Sequence, residues 1–144
     1  MIETVLEITV RSTEVDYLGH VNNAKYLEYM EWGREDWLKQ TGYSFDNLAD
    51  QGIGTATVNI NIDYLGECYK GDILSIKTKP HKTGNSSFVF LQEIFKKDTL
   101  KKAASAHVTI VVFSLKTRKS IPIPPYLLKY LVTPADDHRD CAQE

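Results

Sequence analysis

A chain of 144 residues, 42% apolar and 25% charged, fits one globular domain large enough to bury a core. A net charge of −2 excludes a general electrostatic pull toward nucleic acid or anionic membrane. The start, MIETVLEITV, lacks the basic opening of a secretory signal, and the longest apolar run, VTIVVF (108–113), is too short to span a bilayer as a helix.

Residues 3–10 alternate apolar and polar side chains and predict a first strand. Next comes DYLGHVNNAKYLEYMEWGREDWL (16–38), in which a polar loop runs into an amphipathic helix. Tyr26, Leu27, Met30, Gly33, Trp37 and Leu38 share one helical face at spacings of three and four. Gly33 costs roughly 1 kcal/mol against alanine in mid-helix, which predicts that another element presses on the helix there. Tyr29 and Trp32 lie off this stripe and are candidates for a subunit contact. Gly42 is placed to stop the helix as its C′ residue.

Residues 43–54 read as a connector with one short helical turn. TVNINIDY (57–64) then alternates strictly, with Val58, Ile60, Ile62 and Tyr64 on one face. ILSIKTK (73–79), FVFLQEIFK (88–96) and AASAHVTIVVF (103–113) complete five strands, whose short turns predict a consecutive antiparallel meander. A brief closing helix begins at Pro124 or Pro125. Residues 133–144 read as a polar, flexible tail, leaving 1–132 as the single domain. Cys68 stands between strand-like segments and Cys141 in the tail, so no disulfide is expected and the reading is a reduced, cytoplasmic protein. One helix cannot cover both faces of five strands. The expectation is an α+β domain whose sheet curls around the helix and self-associates through what stays bare.

The loop before the helix carries the chemistry. Asn22 or Asn23 suits an N-cap, and Asp16 suits a loop acid bonded to its own backbone. A cap needs one side chain, whereas this loop gathers Asp16, His20, Asn22 and Asn23. A helix start adds free N–H groups and a partial positive charge. A carboxylate beside such donors has the parts that acyl transfer requires: a group to attack a carbonyl, and donors to hold the oxyanion. No metal is expected at His20, since His81, His107 and His138 stand in dissimilar contexts. The sequence has neither a G-x-S-x-G elbow nor a phosphate-binding glycine loop.

DYLGHVNNAKYLEYMEW, followed by VNINIDY, KGDILSI, TGNSSFVFLQEI and AHVTIVVFSLKTRK, resembles hotdog-fold thioesterases of the 4-hydroxybenzoyl-CoA thioesterase-like group. The likeness is greatest to bacterial long-chain acyl-CoA thioesterases and spans about residues 3–130. It implies a long central helix wrapped by a five-stranded antiparallel sheet, in a homodimer or homotetramer with sites at the subunit interface. It implies an acyl-CoA substrate, coenzyme A being part of that substrate and not a cofactor, with no membrane or nucleic-acid partner. Asp16 would act as general base or nucleophile, and the backbone N–H of Asn23 would polarise the thioester carbonyl.

Plant acyl-carrier-protein thioesterases pair the corresponding aspartate with an asparagine and a histidine. Asp16 and His20 match that pattern, but Leu18 stands in the asparagine's place, leaving His20 a secondary candidate that orders the loop. The phosphates of coenzyme A would fall to Lys82 with Ser86 and Ser87, or alternatively to Arg118 with Lys116 and Lys119. The reading is an acyl-CoA thioesterase. The alternatives are a non-catalytic acyl-CoA or acyl-carrier-protein binding module and a hotdog hydratase or dehydratase. The wide spacing of Asp16 and His20, with no proline between them, counts against the last.

Overall fold

The computed structural model describes residues 1–132, and the expected 133–144 tail, with Cys141 and His138, lies outside the described residues. β1 (Thr4–Thr9) leads through a 3-10 turn (Ser12–Glu14) and the polar loop into α1 (Asn23–Gln40). α2 (Phe45–Asp50), β2 (Ile53–Tyr64), β3 (Ile73–Thr83), β4 (Ser87–Lys96), β5 (Lys102–Ser114) and α3 (Pro125–Leu131) follow. The strands form one antiparallel sheet in the order β1-β3-β4-β5-β2, with α1 laid across its inner face. This is the α+β hotdog architecture that the resemblance implied. No helix among the described residues is long and apolar enough to cross a membrane.

The expected meander holds only for β3, β4 and β5. β2 does not pair with the next strand in the chain. It takes the far edge and pairs with β5, Ile60 opposite Val108 and Tyr64 opposite Ala104. The free side of β3 is already occupied by β1, Thr4 standing opposite Thr78. After β2, the N–H groups of Leu65 and Gly66 both donate to Ala103 O, at 2.9 and 3.1 Å, so the connection is tied to β5 before it returns to β3.

Three local features extend or break the expected strands. β2 begins at Ile53 instead of Thr57, and Gly54 lies within it because the ring of its cross-strand partner Phe113 leaves no room for a Cβ, which would sit 2.5 Å away. A bulge between Thr57 and Asn59 breaks the expected alternation. Thr57 thereby joins Ile60 and Ile62 in register with Ile110, Val108 and Ala106, and Val58 is left 57% exposed. β3 continues through Pro80, which is tolerated because the pairing with β1 goes no further than Thr4 opposite Thr78 and β3 then has a neighbour on one side only.

α1 is capped by Asn22, whose Oδ1 accepts from Ala24 N at 2.9 Å, and is ended by Gly42 at φ +88°. Tyr26, Met30, Gly33, Trp37 and Leu38 are buried as expected. Trp37 meets Phe90 edge-on at 4.8 Å and donates its indole N–H to Ile2 O at 2.8 Å. Burial of such a side chain contributes about 1.5–3 kcal/mol. The element pressing on Gly33 is the inner face of β3 and β4: an added Cβ would lie 2.7 Å from Ile76 Cγ2 and 2.9 Å from Thr78 Oγ1.

Tyr29 and Leu27 differ from the expectation. Tyr29 is fully buried and is no subunit contact, because the 3-10 turn folds over α1 and Glu14 Oε1 accepts its hydroxyl at 3.1 Å. Trp32 is half-buried, with its ring packed on Tyr29 at 5.3 Å. Leu27 is also only half-buried, since it borders a groove and not the core. That groove exists because α1 packs over β1, β3 and β4, while α2 rests on β2.

Candidate active site

Residues 15–21 form a tight loop closed by a bridge between Val15 and Val21. Asp16 organises it. Its N–H donates to His20 O at 2.7 Å, its carbonyl accepts from Gly19 N at 3.0 Å, and Gly19 makes the reversal at φ +86°. Its carboxylate Oδ1 accepts the backbone N–H groups of Leu18 and His20 at 2.9 and 3.0 Å. The loop-acid role foreseen for Asp16 is therefore real, yet it engages one oxygen only. Oδ2 accepts nothing among the described residues, and Asp16 is exposed.

The loop delivers the chain to the start of α1, where Asn22 N donates to Glu14 O at 3.2 Å. The Asn22 side chain caps the helix, which leaves the Asn23 N–H, the first of α1, with no acceptor among the described residues. Asn23 O accepts from Tyr64 OH at 3.3 Å, and the Tyr64 ring meets that of Tyr26 at 5.4 Å, fixing the first turn against the end of β2. A free carboxylate oxygen and a free N–H with the helix dipole behind it thus stand at one end of the molecule.

His20 touches Asp16 through its backbone and uses its ring elsewhere. Nε2 lies 3.5 Å from Glu67 Oε2, and the ring packs edge-on to Tyr69 at 5.1 Å. Tyr69 OH donates to the same Glu67 oxygen at 2.8 Å, a bond that raises the phenol pKa above its usual value. Tyr69 N donates to Asp72 Oδ2 at 2.9 Å, and Lys96 Nζ pairs with that oxygen at 3.3 Å. Val21 N donates to Cys68 O at 2.8 Å. The segment after β2 therefore clasps the Asp16 loop and sets its position.

Cys68 is a free, buried thiol, and burial pushes its pKa up. Tyr26 OH beside it donates to Gly66 O at 3.1 Å, and burial first, then contact with Cys68, raises that phenol too.

The expected phosphate-binding residues lie elsewhere. Lys82 is exposed near the end of β3, and Ser86 and Ser87 follow in the turn closed by Gly84 N to Ser87 O at 2.8 Å. Arg118, at φ +62°, sits in a tight turn after β5, its N–H donating to Ser114 O at 2.7 Å, with Lys116 and Lys119 beside it. Bonds from Val112 N to Ser86 O and from Ile123 N to Asn85 O hold these two turns at the same end of the sheet. The Asp72–Lys96 clasp lies at the other end. β3 has 11 residues. At about 3.3 Å each, it separates the two ends by roughly 30 Å. Within one chain the structure brings Asp16, His20 and Asn23 together, and Lys82, Ser86, Ser87 and Arg118 together, but not the two groups with each other.

Several residues around the site escaped the sequence reading. Glu67, Tyr69 and Asp72 reach the loop only through long-range contacts, which nothing in their local pattern announces. Gln92 had a signal: alternation places it on the inner face with Phe88, Phe90 and Ile94, a polar residue at a core position. It is fully buried, its Nε2 donating to Met30 O at 2.8 Å and Thr78 Oγ1 at 2.9 Å.

Residues 10–131 match the family model of the thioesterase-like superfamily. The chain is 33% identical over 117 residues to the long-chain acyl-CoA thioesterase FadM of Escherichia coli, covering 81% of this chain and 88% of that one. It is 32% identical to the chloroplastic acyl-acyl carrier protein thioesterase ATL3 of Arabidopsis thaliana over 63% of this chain and 48% of that one. Its fold superposes with TM-score 0.84 on a 1,4-dihydroxy-2-naphthoyl-CoA thioesterase from Synechocystis, at 22% identity, covering 90% of this chain and 95% of that one. With a family match over nearly the whole described domain and a relative of this identity and coverage, the chain belongs to the thioesterase-like superfamily of hotdog-fold thioester hydrolases.

Proposed function

We propose that the chain is an acyl-CoA thioesterase that releases a free carboxylic acid and coenzyme A, with Asp16 driving attack and Asn23 holding the carbonyl. The observation that carries this reading is the pair of unused groups at the start of α1, Asp16 Oδ2 and the Asn23 N–H. In one route Oδ2 takes a proton from a water whose oxygen attacks the thioester carbon. In the other Oδ2 attacks that carbon itself, and water then cleaves the resulting anhydride. Either route places negative charge on the carbonyl oxygen, where the Asn23 N–H and the helix dipole stabilise it, and expels the thiolate of coenzyme A. His20 is a positioning residue, holding the loop to Glu67 and Tyr69.

The separation of the two residue groups supports a site shared by two chains. β2 is an edge strand whose end at Tyr64 adjoins Asn23, and whose start follows Gly52, which accepts from Leu115 N at 2.9 Å. Antiparallel pairing of two β2 edges about a two-fold axis sets the Asp16 end of one chain beside the Arg118 and Lys82 end of the other. The phosphates of coenzyme A then meet the second chain.

The likeness to FadM favours a long-chain acyl group. The experiment is thiol release from acetyl, medium-chain, long-chain and benzoyl thioesters of coenzyme A, beside a long-chain acyl-carrier-protein thioester. Release from acyl-CoA, fastest for the long chains, is expected. Binding of a non-hydrolysable analogue with no release from any thioester would leave a binding module. Water addition to an enoyl-CoA without thiol release would make the protein a hydratase.

A further inference from the structure

The connection from β2 to β3 carries a carboxylate, Glu67, that takes no part in either route of attack. Glu67 is held at two points: its carbonyl accepts from Lys96 Nζ at 3.4 Å, and its Oε2 accepts the Tyr69 hydroxyl at 2.8 Å. The same Oε2 lies 3.5 Å from His20 Nε2, while the Tyr69 ring stands edge-on to the imidazole at 5.1 Å. Tyr69 is fixed in turn. Its backbone pairs with that of His20 in an antiparallel bridge, its N–H donates to Asp72 Oδ2 at 2.9 Å, and Lys96 Nζ lies 5.2 Å from its ring centroid. Lys96 and Asp72 form an ion pair whose side chains are only 19% and 23% exposed, which anchors the cluster to the end of β4. The imidazole is gripped from this side, and the His20 backbone N–H donates to Asp16 Oδ1 at 3.0 Å. What orders His20 therefore orders the carboxylate whose other oxygen is free.

We propose that Glu67 is a positioning residue for thioester hydrolysis: acting through the charged imidazole of His20, it fixes the orientation of the Asp16 carboxylate. This inference rests on the reading of Asp16 as base or nucleophile and adds the residue that orients it. The Glu67 side chain is 61% exposed, so solvent screens the ion pair and its contribution to global stability is small. Orientation is a different matter. Asp16 Oδ1 is fixed by two N–H groups, and one of them belongs to His20, so slack in the imidazole passes to both carboxylate oxygens. Misplacing a reacting group by about 1 Å costs about a hundredfold in rate. Charge decides when the grip is full, because Glu67 attracts the imidazole as a cation and holds the neutral ring more weakly. The other titratable groups nearby do not take its place. Asp16 meets His20 through the backbone, Cys68 is buried against Tyr26 of α1, and Lys96 is paired with Asp72.

The test is steady-state thiol release from a long-chain acyl-CoA by the full chain and by Glu67→Ala and Glu67→Gln, from about pH 5 to about pH 8, with thermal unfolding of each. Glu67→Ala should lower kcat at least about tenfold, with KM and Tm close to those of the parent. Glu67→Gln keeps an acceptor for the Tyr69 hydroxyl and loses only the charge. Its kcat deficit should be largest at low pH and shrink as the imidazole loses its proton. Asp16 is present in both proteins, so its own titration cancels in the ratio of the two rates. An unchanged kcat for Glu67→Ala, or a ratio of parent to Glu67→Gln that stays flat with pH, would overturn the proposal. So would an effect confined to KM, which would make Glu67 a substrate contact, or a kcat loss matched by loss of fold. Amide hydrogen exchange followed by NMR reads the same grip without turnover. The Leu18 and His20 N–H groups should exchange at least about tenfold faster in Glu67→Ala, and unchanged exchange at both would overturn the proposal whatever the turnover. A parent that releases no thiol would refute the enzymatic reading, and faster exchange in Glu67→Ala would still establish Glu67 as the residue that orders Asp16.

Discussion

Glu14 carries its carboxylate to a position only 8% exposed, where it accepts from Arg11 N at 2.8 Å and Tyr29 OH at 3.1 Å. No local sequence pattern marks Glu14 for burial, which comes from the fold of the 3-10 turn over α1. Tyr29→Phe leaves that carboxylate short of a donor, and a loss of about 1–3 kcal/mol in urea unfolding is expected. Burial and then the bond to Glu14 raise the Tyr29 pKa in the folded chain. A raised value means the folded state keeps the proton that the unfolded state gives up. The contribution is therefore complete below the unfolded phenol pKa of about 10 and fades as pH rises beyond it. The stability gap between parent and Tyr29→Phe should narrow above about pH 10, and a constant gap would contradict the assignment. Asp16 and Asn22 were legible because their work is local, an Asx loop and a cap. Arg34 was not, since the sequence gives no sign that its charge lies in the core.

At the scale of elements, α1, its cap, its stop at Gly42 and the Pro125 helix followed from rules confined to a few residues. The place of β2 did not, because strand order depends on β1 having taken the open side of β3, and no property of residues 57–64 encodes that. The bulge at Val58 was hidden for a related reason: it exists in the pairing with β5, not in the alternation of β2. Gly33 was read correctly as a point of close approach. Gly33→Ala gains roughly 1 kcal/mol of helix propensity. The methyl, however, meets Ile76, Thr78 and Gln92 at 3.0 Å or less, in a closed polar layer. Overpacking wins, and a net destabilisation of about 1–3 kcal/mol is expected by thermal unfolding. An unchanged or raised Tm would show that α1 and β3 have slack that the geometry denies.

The whole molecule holds its candidate catalytic loop and its candidate phosphate turns at opposite ends of one sheet, a separation that a sequence reading of local motifs has no means to see. The dimeric reading makes each site from one chain's Asp16 and the other's Lys82 and Arg118. Lys82→Ala/Arg118→Ala should raise KM for acyl-CoA and leave kcat nearly unchanged, as lost uniform binding does. Mixed with Asp16→Asn and allowed to exchange subunits, it should form hybrids in which one of the two sites is intact, so activity at low acyl-CoA concentration should exceed that of either parent variant. Exchange verified by mass, without recovered activity, would confine each site to a single chain.

The most direct measurement is single-turnover thiol release by Asp16→Asn against the parent, with calorimetric binding of a non-hydrolysable thioether analogue. Asparagine keeps the Oδ1 acceptor for Leu18 and His20, and thus the loop, while removing the anionic oxygen that both routes require. General-base assistance is typically worth about 10² to 10⁴ in rate, so release should slow at least about a hundredfold. Analogue affinity, circular dichroism and oligomer size should stay those of the parent. A folded variant that releases thiol within about threefold of the parent rate would remove Asp16 from the chemistry and contradict the account.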